Sequence, residues 1–582
     1  MIGRLLQQLM ARARGGANAP PEPAWLSSAR ASIASGQVGT AIGLLTPHAA
    51  GPDAAFEVLH LLGQALGMSG RLAEAHAALA RAVAMRDGAA IRADLGNVLQ
   101  LSGDAAAAAA EYRRSLALDR AQPPVWCNLG LALAAHGDAA EAATCLDEAL
   151  SRAATLDAAL GAYATLAPRH TGLWERFERH VQRALAAQPD SAVALEAQGF
   201  IFLKRDLDGA RAAEFFERAI RAGGDRADLH GNHGIALQDL GRIEEAIAAY
   251  DRAIAFEPGH TSARWHRSLA LLLVGRFAEA WPDYELRLRS EDVPQRTFPV
   301  PRWDLQSKPD GVLLLAAEQG LGDEIMFASC IPDVLALGTR CLIECHAKLA
   351  PIFRRSFPQA TIRAGSQLDD PVWLRDYPDL AAYVPLGSLP QRFRRASADF
   401  PSHRGYLQAD PAKVAAWRAR LDALGPGRKI GLSWRVGTAK TRRKLRSPAS
   451  GELAGMLRTP DTHWVSLQYD ATPEEIEALA ASTGVAVHCW PEAIDDYDET
   501  AALLCALDLT VSVCTAVIHL GGALGRPVWV MAPYSPEWRY GLYWERMPWY
   551  PSVRVLRQAS PGAWGGLLQR VTNELAACAP PL

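Results

Sequence analysis

"ADLHGNHGIALQDLGRIEEAIAAYDRAIAFEPGH", residues 227–260, reads as a pair of helices. Gly234 lets two helices approach closely, and Leu237 and Ala246 fill the seam between them. Tyr250 and Ala253 pack the next layer, and Pro258 ends the unit. A small residue recurs in equivalent places along the chain: Gly63, Gly96, Gly130, Gly199, Gly234 and Ser268. The successive spacings are 33, 34, 69, 35 and 34 residues, and 69 accommodates one degenerate repeat. Equivalent seam positions hold Leu66, Ala75 and Leu79 in one unit and Leu133, Ala142 and Leu146 in another.

A period near 34 residues, with several positions in register, resembles the tetratricopeptide repeat over about residues 56 to 289. The stretch "ALGAYATLAPRHTGLWERFERHVQRALAAQPDS", residues 159–191, departs from the pattern at the glycine position. Stacked helix pairs curl into a concave surface suited to a polypeptide. His230, Asn232 and His233 lie on a first helix. They are either exposed residues without a role or acceptor contacts on the inner groove.

The bulk numbers narrow the class. A chain of 582 residues predicts three or four domains at roughly 150 residues each. A hydrophobic fraction of 49% and a charged fraction of 21% fit a folded globular protein. The net charge of -3 gives no global basic field, so no nucleic-acid partner is expected. No uninterrupted run of 18 apolar residues predicts a membrane span. Nine cysteines without close pairing fit a reducing, cytoplasmic setting. Cys341, Cys345 and His346 in "CLIECH" lack a second cluster at ligand spacing, so no metal is expected.

After "RTFPVPRWDLQSKPD", residues 296–310, the pattern changes to apolar runs alternating with helical ones. This predicts α/β architecture with parallel sheets in two doubly wound lobes. The expected division is 1–55 N-terminal helices, 56–295 repeats, 296–310 linker or strap, 311–410 N-lobe and 411–582 C-lobe. "EQGLGDEIMF", residues 318–327, follows a strand-like run and opens a helix. Asp323 there is either a helix cap, with Glu324 simply exposed, or a catalytic carboxylate, with Glu318 as the fallback base. Three strand-end motifs in the second lobe suit a donor molecule. "GLSWRVGTAKTRRKLRSP" supplies Arg435, Lys440, Arg442 and Arg443, the densest positive cluster, for phosphate. "VSLQYD" offers Gln468 and Tyr469 for a base or ribose. "SVCTAVIHLGGALGRPVWVMAP" runs a strand into a helix opening at Cys514, Thr515 and Ala516, with His519 one turn in as either a donor contact or a core histidine bonded to a carbonyl. No base is spaced to make Cys514 a nucleophile.

That last motif and "GLGDEIMFASCIPDV" resemble the donor-binding and N-lobe segments of two-lobed (GT-B) glycosyltransferases of the heptosyltransferase type. Joined to the repeats, the layout is similar to O-GlcNAc transferase. With "SPEWRYG" and "PWYPSVRVLRQ", it is similar over residues 56 to 575 to bacterial repeat-containing flagellin glycosyltransferases. The resemblance implies a metal-independent glycosyltransferase with a nucleotide-sugar co-substrate, such as CMP-pseudaminic acid or another CMP-nonulosonic acid. It implies a protein acceptor, flagellin, modified on Ser or Thr and held by the repeats. It makes Asp323 the general base, with Gly320 and Gly322 letting substrate approach and His519 touching the donor. Heptosyltransferases carry an acidic residue where this chain has Cys514, which argues against an ADP-heptose donor. Two other classes stay open: an inactive repeat scaffold or chaperone for flagellar or envelope assembly, and a lipopolysaccharide sugar transferase.

Overall fold

At each repeat glycine, a side chain of the following helix stands where a Cβ would be. The nearest carbon of Leu79 lies 2.5 Å from that position at Gly63, Tyr112 2.6 Å at Gly96, Leu146 3.0 Å at Gly130 and Phe216 2.8 Å at Gly199. The seam is closed because glycine leaves it open, and the spacing of glycines therefore sets the spacing of helix pairs. The computed structural model describes residues 23–51, 54–289, 296–365, 369, 371–436 and 446–577.

The chain divides into two compact units, one ending at Asp225 and the other starting at Arg226. Among its described residues the first holds helices and no strand. Its pairs include Phe56–Met68 with Leu72–Met85, Ala89–Leu101 with Ala105–Leu118, and Pro123–His136 with Ala139–Arg152. The degenerate stretch is itself a pair, Asp157–Leu166 with Trp174–Ala187, joined through a 3-10 turn at Thr171–Leu173. Its seam is aromatic: Tyr163 stacks on Phe177 with ring centroids 5.6 Å apart.

The second unit begins with two more pairs, Ala227–Asp239 with Ile243–Phe256 and Thr261–Leu273 with Phe277–Tyr284. Two sheets follow. The first contains β1 (Val312–Ala316), β2 (Arg340–His346), β3 (Thr361–Gly365) and β4 (Leu380–Pro385), in the order β3-β2-β1-β4 and all parallel. The second contains β5 (Arg428–Ser433), β6 (Thr462–Ser466), β7 (Val487–His488), β8 (Leu509–Val513), β9 (Val528–Ala532), β10 (Arg546–Met547) and β11 (Tyr550–Arg557). Its order is β10-β11-β9-β8-β5-β6-β7, parallel except for the β10–β11 hairpin. In each sheet the order reverses beside the first strand, at β1/β4 and at β5/β8. Ligands in such sheets bind beyond the strand C-termini at this switch point.

Residues 296–310 form a strap rather than a linker. The amide of Trp303 donates to the carbonyl of Tyr383 in β4 at 2.8 Å, Tyr383 returns a bond to Pro301, and Phe298 stacks on the Tyr383 ring. The expected boundary at 295/296 also moves. One hydrophobic core runs from Ala227 through both sheets to Leu575 and takes in Phe277, Trp281 and Tyr284 of the last helix pair. Trp281 donates its indole N–H to the carbonyl of Arg394 at 2.7 Å and meets Trp538 edge-on. The last two helix pairs therefore belong physically with the sheets.

Candidate functional site

β1 and β8 each lead through a short loop into a helix, Leu321–Ala328 and Ala516–Ala523. The two helices touch through Gly322, where a Cβ would stand 3.1 Å from Cδ2 of His519 and 3.6 Å from Cβ of Ala516. Neither helix has a side-chain cap, so Asp323 is not the cap that one reading of the sequence offered. The first amides of such helices lack an intrahelical acceptor and sit at the positive end of the helix dipole.

A cavity of about 270 Å³ lies at this junction. The first helix contributes Gly322 and Asp323. The loop after β5 contributes Val436 and Arg446, and the β8 turn Cys514, Thr515, Ala516 and His519. The loop after β9 adds Glu537, Arg539 and Tyr540. Oδ1 of Asp323 accepts from Nε of Arg539 at 2.7 Å and from its Nη2. Oε1 of Glu537 lies 3.0 Å from Nη2 of Arg446, and its Oε2 lies 3.7 Å from Nη1 of Arg539. Two carboxylates and two guanidiniums thus share one small space. The guanidinium of Arg539 also lies over the ring of Trp538, 5.0 Å from its centroid.

Burial decides the protonation of the neighbours. Burial, with the Arg539 charge beside it, pushes His519 down to about 3, so its imidazole is neutral at physiological pH. Nδ1 of His519 lies 3.1 Å from the hydroxyl of Tyr550. Burial pushes the Cys514 thiol up to about 12, which removes it as a nucleophile. Gln319, beside the site, holds φ at 62°, a strained value for a side chain with a Cβ, and its amide reaches the Tyr284 hydroxyl at 3.2 Å.

Profiles of the tetratricopeptide repeat match residues 123–155 and 232–295. Protein FlbA of Caulobacter vibrioides is 33% identical over 415 residues, 68% of this chain and 69% of that protein. The chain belongs to the FlbA family. Human tetratricopeptide repeat protein 13 is 30% identical over 122 residues, 20% of this chain and 14% of that one. A solved tetratricopeptide repeat protein from Parabacteroides merdae aligns at 17% identity with a TM-score of 0.36, covering 42% of this chain and 97% of the other.

In this FlbA-family chain the structure brings Asp323, Gly322, Cys514, Thr515, Ala516 and His519 into one cavity. Several other sequence expectations change. Glu318, the expected fallback base, does not line the cavity: Arg287 grips both its oxygens at 2.7 and 2.6 Å and the amide of Gly387 takes one of them at 2.6 Å. Glu324 is buried rather than exposed, and accepts from the amide of His346 at 2.8 Å. Gly320 is the helix N-cap with an ordinary negative φ, and the space at Gly322 is taken by His519 rather than left for substrate.

Arg435 does not line the cavity. Its Nη2 is held by Asp470 at 2.9 Å and Glu475 at 2.8 Å. Gln468 is buried, and its amide brackets the end of β5 through the amides of Trp434 and Arg435 and the carbonyl of Arg435. Tyr469 points to solvent at 54% exposure. Lys440, Arg442 and Arg443 lie outside the described residues. His230 is buried with its ring stacked on Phe256, which removes it from an exposed groove, whereas Asn232 and His233 are half-buried.

Sequence reading did not single out Arg446, Glu537, Arg539 and Tyr540. Arg446 stands inside the quoted basic stretch "GLSWRVGTAKTRRKLRSP", and the signal for the other three was "SPEWRYG", a charged and aromatic loop directly after a core strand. Among the described residues no helix is long and apolar enough to cross a membrane, and no group of His, Cys, Asp and Glu is arranged to hold a metal ion.

Proposed function

We propose that this FlbA-family chain is a GT-B protein O-glycosyltransferase. It moves a sugar from a nucleotide sugar, a CMP-nonulosonic acid such as CMP-pseudaminic acid, to Ser or Thr of flagellin held by the repeats. The observation that carries this reading is the cavity where two helix N-termini, one from each sheet, meet at both switch points around Asp323. A leaving phosphate fits the uncapped start of Ala516–Ala523 beside Arg446, as anions do at helix N-termini. Asp323 comes from the opposite sheet, which is where a base for the acceptor must sit. As the bond from the anomeric carbon to phosphate breaks and the bond to the acceptor oxygen forms, the hydroxyl proton passes to the Asp323 carboxylate. The nucleotide leaves with the electron pair. His519, neutral and buried, supplies polarity without competing as an acid. Repeats tethered to the cleft raise the local acceptor concentration, so weak affinity in the cleft suffices.

The test is the intact mass of flagellin co-expressed with this chain and a sugar-nucleotide pathway. A gain of one sugar mass per site is expected with the wild type and none with Asp323→Ala, while circular dichroism shows the variant still folded. Unchanged flagellin mass with an intact pathway leaves the scaffold reading in its place.

A further inference from the structure

The Asp323–Arg539 pair sits badly with a carboxylate that has to take a proton. Oδ1 of Asp323 accepts two N–H groups of one guanidinium, and both side chains are largely buried. Gaining a proton in that state forfeits a charge-assisted bond and strands a buried cation. Arg539 is not fully used by this contact, since its Nη1 lies 3.7 Å from Glu537, too far for a hydrogen bond. Glu537 meanwhile is bound more closely to Arg446 at 3.0 Å. The cavity therefore holds a cation whose better partner is the very carboxylate that the reaction needs free.

We infer that Arg539 is a latch on Asp323, opened when an anionic group of the donor takes the guanidinium. This rests on the glycosyltransferase reading and adds its regulation. With no donor bound, the base is tied up. With a donor bound, Arg539 moves its fork onto the donor's phosphate or carboxylate, and Asp323 regains its Oδ1 for the acceptor hydroxyl. The site then activates an acceptor only when a donor is present, and it binds anionic donors in preference to neutral ones. No bond other than hydrogen bonds changes in this step. The loop that carries Arg539 is braced from behind by Trp538, which packs on Trp281 and Tyr284 of the last helix pair, so the latch has a rigid mount.

The two partners of a latch respond to substitution with opposite signs. The probes are CMP and UDP in one arm and free N-acetylneuraminate in the other, which separates a phosphate from a sugar carboxylate as the group that opens the latch. Calorimetry on the full chain should show at least one probe binding. Asp323→Asn should tighten that probe about 5- to 10-fold, because the anion no longer competes with a carboxylate. Arg539→Gln should weaken the same probe at least 10-fold. Arg539→Lys, which keeps the charge without the fork, serves if Arg539→Gln fails to fold by circular dichroism, and it should weaken binding as well. If Asp323→Asn binds the probe equally or more weakly, the pair is a brace and the latch is refuted with the enzyme reading intact. Unchanged binding by the Arg539 variants refutes it in the same way. If the wild type binds no probe in either arm, the glycosyltransferase reading fails and the latch with it.

Discussion

Glu324 is a carboxyl that the fold keeps protonated. Burial, aided by the charges of Glu344, Asp323 and Glu318, pushes it up to about 8, against a partial opposing pull from the His346 amide. The folded chain thus holds a proton that the unfolded chain releases, and stability falls as pH rises from the ordinary value of 4.5 through about 8. Glu324→Gln keeps the acceptor oxygen and removes the titration. In denaturant unfolding it should match the wild type near pH 4 and exceed it by about 3–5 kcal/mol above pH 8, because each tenfold difference in proton affinity between the folded and unfolded chain is worth about 1.4 kcal/mol. Parallel pH curves for the two proteins would refute a buried neutral Glu324. Asp323, its neighbour, was legible because glycines, an acidic pair and an apolar strand lie together within a dozen residues. Arg539 was not, because its partner lies 216 residues away in the chain and local pattern carries no information about it.

Elements divide into those whose partners lie nearby and those whose partners do not. The repeat glycines were readable because each one meets a side chain 16 or 17 residues on, within the same helix pair. That yields a paired prediction. Gly234→Ala puts a Cβ 2.5 Å from the Tyr250 ring, and overpacking of about 1–3 kcal/mol outweighs the roughly 1 kcal/mol gained in helix propensity. Thermal unfolding should show a net loss of up to about 2 kcal/mol. Gly161→Ala, in the helix Asp157–Leu166, meets nothing within 4 Å and should gain about 0.5–1 kcal/mol. Equal effects at both sites would mean that the seam does not depend on glycine. The strand ends behave differently. Arg435 and Gln468 were rightly placed at the ends of β5 and β6, yet their side chains turn to Asp470, Glu475 and the β5 backbone instead of the cavity. Position along a strand is a matter of period, whereas direction beyond its end depends on loops folded from elsewhere.

For the whole molecule, the question is where the repeats stop being a separate array and become part of the body that holds the two sheets. Composition changes at the proline-rich strap, which is why a boundary near residue 296 looked natural, but packing ignores it. Trp538 is enclosed by Trp281, Tyr284, Phe327 and Trp549, and the loop around it is tied to the repeats by Ser535 donating to the carbonyl of Gln238 at 2.9 Å and by the amide of Leu542 donating to Leu273 at 2.9 Å. Arg287, just past the last repeat helix, forms the buried pair with Glu318 at the end of β1. Cutting at 296 removes Phe277, Trp281 and Tyr284 from this core, at roughly 1.5–3 kcal/mol for each large side chain, and leaves Glu318 without its counter-charge. That sum rivals the total stability of a typical domain. Residues 226–582 should therefore melt cooperatively and bind the anionic probe as the full chain does, whereas residues 296–582 should aggregate or melt without a transition. Scanning calorimetry and probe titration of the two fragments decide the matter. Should 296–582 melt and bind as well as 226–582, the last repeats would be an attachment, and Arg539 would owe its position to the sheets alone.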